Sequence, residues 1–380
     1  MRKKIIPALL WLQIVCLNPV YALTINLNDI GGVANSPADA GFQKAVTFWE
    51  SVLTDNVTVN LDVGFNPLAS NILGQTSTAL LRTSYTVVRN AMTLDMTSSF
   101  DLTAVSNLPA GPAFDTFINQ TSDNPNGAFS TTPYLDNDNG VNNTNTFMTL
   151  ANARALGVFF AENANIDGLI NFNSNQAWDF DDGDGVSSSA FDFIGVAIHE
   201  IGHALGFVSG VEQLDTGASI FFGDGDTDND YLFSTLDLFR YSDLSAASGV
   251  TDMSADNRDK YFSIDNGSTN LAFFTTGVNS GDGYQASHWR DNLGLGIMDP
   301  TLATGEFGLV TLEDVIAFDV IGWDVIPAVP EPAPFALLVM GLAVIVHRQR
   351  REIQWADFLN KTLYNSPIKV WRRLMRHYIN

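Results

Sequence analysis

Between residues 23 and 326 the spacing of apolar positions changes repeatedly, and each change marks an element. Phe42, Ala45, Val46, Trp49, Val52 and Leu53 recur at helical spacing. Ahead of them Ser36-Pro37-Ala38-Asp39 reads as a capping box with proline at the first helical position. The period then drops to two: in VTVNLDVGF, Val57, Val59, Leu61, Val63 and Phe65 alternate with polar partners, the pattern of a half-buried strand. Helical spacing returns near residues 84–94 and 146–156. GLINFN at 168–173 predicts a short strand before a helix over Phe193 to Leu205, which Asp192 is placed to cap. Gly206 suits the positive-φ turn that stops such a helix. Thr311-Leu312-Glu313-Asp314 caps a last helix ending near Gly322. The order predicts one α+β domain with a mixed sheet and no repeats.

The two ends break this pattern. Residues 1–22 begin with Arg2, Lys3 and Lys4, continue through an apolar run from Ile5 to Leu17, and close on Val20 and Ala22 around Tyr21. That is the three-part order of a secretory signal peptide, with cleavage expected after Ala22. The single cysteine, Cys16, lies in this leader, so the mature chain has no disulfide framework and no thiolate chemistry. Its 46% hydrophobic content permits a sizeable core instead.

Charge is divided unevenly. Leu23 to Pro330 holds 39 acidic and 8 basic residues, whereas beyond Pro330 there are 8 basic and 3 acidic ones. A domain this acidic repels nucleic acid, whose binding depends on lysine and arginine at the phosphates. Residues 327–351 contain VPEP, an apolar run from Phe335 to Val346 and a basic cluster that marks a cytoplasmic side. That order resembles the PEP-CTERM sorting signal of Gram-negative bacteria, with Val329-Pro330-Glu331-Pro332 as the recognition motif. The resemblance implies an exosortase as partner, transient membrane anchoring through the tail, and display at the cell surface or release outside the cell. The chain departs from it in the 29 residues that follow, Glu352 to Asn380, a basic and aromatic extension suited to a membrane surface. The expected organisation is therefore a leader at 1–22, a catalytic domain at 23–326, a sorting tail at 327–351 and an extension at 352–380.

Chemistry concentrates in HEIGHALGF at 199–207. On a helix His199 and His203 project from one face a turn apart, so both imidazoles can meet one metal ion, and Glu200 lies beside them as a base. A catalytic zinc wants three protein ligands and an open position. Many enzymes with this glycine place a further histidine three residues after it, where this chain has Ser209. Of five histidines, His347 and His377 lie beyond the tail's apolar run, which leaves His288 in ASHWRDNLGLGIMDP as the remaining imidazole. Glu212 and Asp215 are carboxylate rivals, and Ser209 a weak one.

HEIGHALGF, a long insertion, and a His-Trp pair followed about ten residues later by methionine resemble the leishmanolysin-like metzincins. The likeness covers residues 191–207 and 287–300, and that family's many cysteines are absent here. It implies a metzincin-like α+β fold, zinc on His199, His203 and His288, Glu200 as catalytic base, and Met298 in a turn beneath the metal. The implied activity is a secreted or surface-displayed zinc endopeptidase acting on proteins or peptides, with Glu200 passing a proton from water to the leaving amine. The strand near Leu169 to Phe172 is expected to line the cleft and pair with substrate backbone. The competing reading is a non-enzymatic surface or matrix protein stabilised by metals. Two acidic stretches, DFDDGDG at 179–185 and GDGDTDND at 223–230, read equally as calcium (Ca2+) sites or solvated loops, and DNDNG at 136–140 reads as a turn cluster.

Overall fold

The computed structural model describes residues 23–326, apart from 161–165 and Phe222. The expected leader, sorting tail and C-terminal extension lie outside the described residues. Among the described residues no helix is long and apolar enough to cross a membrane.

Strand β1 (Thr24–Gly31) leads into helix α1 (Pro37–Val52), whose cap is Ser36, its Oγ accepting from the Ala38 amide at 3.2 Å. The reciprocal half of the expected capping box is missing, because the Ser36 amide already donates to the Val33 carbonyl at 3.0 Å. Strands β2 (Thr58–Asn66), β3 (Gly74–Thr78) and β4 (Leu80–Ser84) follow, then helices α2 (Tyr85–Asp95) and α3 (Ser99–Asn107). Beyond them come β5 (Asn145–Thr149), α4 (Leu150–Ala155), β6 (Gly168–Asn173), the histidine helix α5 (Phe193–Leu205), α6 (Val211–Thr216) and α7 (Leu312–Val320).

The main sheet has the order β1-β2-β6-β3. The first three strands run parallel, with Val63 opposite Ile170, and β3 runs antiparallel, with Thr76 opposite Ile170. One face is apolar: Val59, Leu61, Val63, Ile170 and Phe172 are buried there. The other carries polar pairs, Asn26 to the Asn60 amide and Asn28 to the Asp62 carboxylate, which keep a partly solvated parallel face satisfied. Phe42 of α1 and Phe193 of α5 close on Phe172 with ring centroids 4.6–5.1 Å apart, so helix, sheet and histidine helix share one aromatic core.

Two readings of the pattern need correction. The stretch 146–156 is half strand and half helix, because β5 finds partners on both edges: β4 antiparallel on one side and Phe233–Ser234 parallel on the other. Its apolar density suits either period, and pairing decides. The strand at 168–173 is an interior strand with neighbours on both sides, so it has no free edge for a substrate. Among the described residues the sheet's edge strands are β1 and β3, and the one beside the histidine helix is β3, a polar strand without apolar alternation.

Helix α5 is buried almost all round. The Trp49 indole donates to the Ile198 carbonyl at 3.0 Å and the Trp323 indole to Leu205 at 2.8 Å, tying it to α1 and to the chain after α7. Asp192 caps it, accepting from the Gly195 amide at 3.0 Å. Gly206 ends it at φ 131°, a value other residues rarely adopt.

Near α3 and α7 carboxylates crowd together. Burial, reinforced by neighbouring carboxylates, pushes Asp55 up to about 7, Asp95 to about 8 and Asp319 to about 7. The Asp319 Oδ1 is buried without a hydrogen-bond partner, as a protonated carboxyl tolerates better than a charged one. Unfolded aspartate titrates near ~3.9, so between about pH 4 and pH 8 the folded chain holds protons that the unfolded chain releases. Stability from these groups is greatest below that window and is lost as pH rises through it. Asp95→Asn should therefore flatten the fall in thermal midpoint between pH 5 and pH 8. At pH 8 it should melt a few degrees above wild type, the shift given by ~1 kcal/mol in a domain this size. Calorimetry of both proteins at the two pH values checks it, and parallel pH profiles would contradict it.

Candidate metal centre and active site

The helix presents its two histidines as its period requires. His199 and His203 lie with ring centroids 4.7 Å apart, and their Nε2 atoms are 3.1 Å apart. His288 arrives from a distant segment and sets its Nε2 3.2 Å from that of His203. His203 and His288 are separated by 84 residues, and part of that stretch builds the support for this approach. Arg240–Tyr241, Lys260–Phe262 and Ala272–Phe274 form a small antiparallel sheet, and Phe274 bridges to Trp289. The Thr275 amide donates to the His288 carbonyl at 3.0 Å. The buried Arg240 guanidinium reaches the Ala286 and Thr275 carbonyls at 3.2 and 2.5 Å while lying over the Phe274 ring.

Each imidazole is held at Nδ1 by a backbone carbonyl: Ile297 for His199 at 2.8 Å, Phe207 for His203 at 2.7 Å, and Gln285 for His288 at 3.1 Å. Carbonyls only accept, so each Nδ1 carries its proton and each neutral ring turns a bare Nε2 lone pair inward. Burial favours the neutral form throughout, lowering His199 to about 4, His288 to about 3 and His203 well below the usual histidine value. Three facing lone pairs repel one another, and what they fit is a cation. Zinc–nitrogen bonds of roughly 2.0–2.1 Å in a tetrahedral frame separate their nitrogens by roughly 3.3 Å, close to the spacings here. The three rings form a group able to hold a metal ion.

The shell around the imidazoles includes residues that carried no such signal in sequence. Asp314, read there as a helix cap, does accept from the Thr311 amide at 2.8 Å. The same buried carboxylate also accepts from the Trp289 indole and the Ile297 amide, both at 2.8 Å, and from the Met298 amide at 3.4 Å. It thus fixes the loop whose Ile297 carbonyl orients His199. Met298 is fully buried against α5, its Sδ only 2.8 Å from where a Cβ on Gly202 would lie, so the close approach requires glycine there. Glu200 lies in the helix next to His199, and burial pushes its carboxyl up to about 7 although Thr76 Oγ1 of β3 donates to it at 2.6 Å. Thr76 was not singled out in sequence because nothing distinguishes GQTST as a working strand.

The rivals for the metal are engaged elsewhere. Ser209 Oγ donates to Asp237 at 2.6 Å. Glu212 accepts from the Ser287 amide at 3.1 Å and from its hydroxyl, bracing the residue before His288. Asp215 accepts from the Asn279 and Ser280 amides, both at 2.8 Å. A cleft runs over the three imidazoles, walled on one side by Gly74, Gln75 and Thr76 of the sheet's edge strand. Among the described residues lining it none is lysine or arginine, whereas Glu200, Glu212, Asp215, Asp299 and Glu306 are present.

Residues 138–212 match the family model of the matrixins, which are metzincin peptidases. The matched part contains α5 with His199, Glu200 and His203 and stops before His288. The likeness, together with the mixed α+β architecture, supports a metzincin-type metallopeptidase, a hydrolase whose family uses zinc. Among curated proteins and among solved structures, nothing matches the chain.

The convergence of the three rings has a direct consequence for metal content. His288→Ala should strip most of the zinc from the protein, because two imidazoles cannot hold the ion in a fixed frame. Ser209→Ala, Glu212→Gln and Asp215→Asn should keep close to one equivalent. Elemental analysis of the four variants measures this, and full occupancy in His288→Ala with loss in Glu212→Gln would move the third ligand to the carboxylate.

Proposed function

We propose that the protein is a zinc endopeptidase in which His199, His203 and His288 hold the ion, Glu200 is the general base and Met298 lies in the turn beneath. The observation that carries the reading is the meeting of three neutral, carbonyl-oriented imidazoles beside a buried carboxyl that faces a cleft. A zinc ion held there would supply Lewis acidity and lower the pKa of a water. The chain does the rest. Glu200 would take a proton from the attacking water and deliver it to the leaving amine, and Thr76 Oγ1, which donates to its carboxyl, would hold it in place. Among the described residues the outer edge of β3 pairs with no strand, so its amides and carbonyls could receive an extended peptide, which would add to the sheet as a further strand and lie across the imidazoles. A cleft lined by carboxylates, with no lysine or arginine among its described lining residues, favours neutral or basic peptide segments over acidic ones.

The leader at 1–22 and the VPEP tail support a site of action outside the cytoplasm, with an exosortase-type enzyme removing the tail after transient membrane anchoring. A metal-stabilised surface protein without activity would have no use for a base beside the metal, so Glu200 separates the two readings. Glu200→Gln should retain zinc yet lose casein hydrolysis by roughly 10²–10⁴-fold, the usual contribution of a general base. Wild-type hydrolysis should vanish with chelator and return with zinc. Activity of Glu200→Gln within about threefold of wild type would remove the base from the mechanism.

A further inference from the structure

Away from the histidines, a second group of ligand-type side chains comes together from parts of the chain that sequence kept apart. Asp136 closes a short strand, Asp138 sits in the turn after it, and Asp228 begins a 3-10 turn some ninety residues later. One carboxylate oxygen from each lies within 4.8 Å of the others. Asp136 and Asp228 are buried, and Asp138 is exposed. Asn142, in the short helix Val141–Thr144, is wholly buried beside them, and its Nδ2 donates to Asp136 Oδ2 at 2.5 Å. The Oδ1 of that same planar amide is buried and has no hydrogen-bond partner.

We propose that Asp136, Asp138 and Asp228, with the Asn142 amide oxygen, form a calcium site that fastens the 136–142 segment to the loop ending at Asp230. A buried carbonyl oxygen without a donor is an acceptor in want of positive charge, and its amide sits on Asp136, whose carboxylate meets two others that also want one. Their immediate charged neighbours add to the need. Burial and then the Asp228 and Asp138 charges push Asp136 up to about 6, while burial and the charges of Asp123 and Asp138 raise Asp228. Hydrogen bonds orient the carboxylates without neutralising them: Tyr134 Oη and Asn229 Nδ2 donate to Asp228, and the Gly140 amide to Asp138. The donors are all oxygen, which selects a hard cation over zinc. Calcium accepts the irregular set that two separate segments supply, whereas magnesium demands a near-ideal octahedron and keeps its waters. The site is independent of the histidine centre, and its test does not require catalysis.

The full-length chain, stripped with a calcium-selective chelator and kept zinc-loaded, should melt several degrees higher when calcium chloride is returned. Terbium should bind in calcium's place and luminesce on excitation of tyrosine, since the Tyr134 hydroxyl touches Asp228. Asp138→Asn should weaken terbium and calcium binding at least tenfold. It alters an exposed side chain and retains the Oδ1 that accepts from Gly140, so its fold should be kept. Asp228→Asn should weaken binding equally, while Asp181→Asn and Asp226→Asn, in the neighbouring acidic stretches, should leave it unchanged. Absence of terbium binding in wild type would overturn the proposal. So would binding that survives both cluster substitutions, or binding lost only in Asp181→Asn, which would place the cation in the 179–185 loop.

Discussion

Three imidazole lone pairs pointed at one another are the constraint on which the rest of this structure depends. Left alone, the rings would turn apart or take protons, and the chain prevents both. Burial keeps the rings neutral, and the carbonyls of Phe207, Gln285 and Ile297 hold each Nδ1 proton on the outer side. Those carbonyls belong to irregular backbone, which needs its own support. Gly206 turns the chain so that Phe207 can reach back to His203, and Asp314 gathers Trp289, Ile297 and Met298 around one carboxylate. Arg240 and the small antiparallel sheet do the same for the stretch entering His288. Outer groups of this kind set the tautomer and direction of metal-facing rings.

The acidic composition has a structural use beyond solubility. Residues 23–326 contain no cysteine, and among them carboxylates act as the cross-braces. Asp237 joins Ser209, Gly210 and Ser234, Asp192 joins Gly195 to Gly308, and Asp215 joins α6 to the loop at Asn279. Each accepts several donors at once, which is what a short, rigid, charged acceptor does well. Other carboxylates are buried against one another, and these remain a standing cost at neutral pH, relieved by protons near α3 and, on the reading given above, by a cation at Asp136 and Asp228.

Periodicity made some elements legible and hid others for identifiable reasons. Helix α1 and strand β2 each bury one continuous apolar pattern, so spacing located them, whereas helix α5, buried almost all round, was located by its histidine motif with Asp192 and Gly206 at its ends. Residues 145–155 mix Phe147, Met148, Leu150 and Ala151 at intervals that suit either period, and only the strand partners decide. Strand β3 was invisible because an edge strand over a cleft has no buried face to advertise, and the apolar strand at 168–173 was given its role in error. At the site, counting histidines left His288 as the remaining imidazole, and the structure sets it beside His203. Thr76, Arg240 and the second task of Asp314 act through contacts between residues far apart in sequence, as does the meeting of Asp136 with Asp228. No local pattern records such contacts.

X-ray absorption at the zinc edge of the zinc-loaded wild-type protein tests the central claim most directly. The account predicts a four-coordinate ion with three imidazole nitrogens at roughly 2.0–2.1 Å and one further light atom from solvent. Imidazole multiple scattering should correspond to three rings. A fit requiring two imidazoles with carboxylate oxygens completing the shell would contradict it, since the His288 ring would then stand beside the ion without holding it.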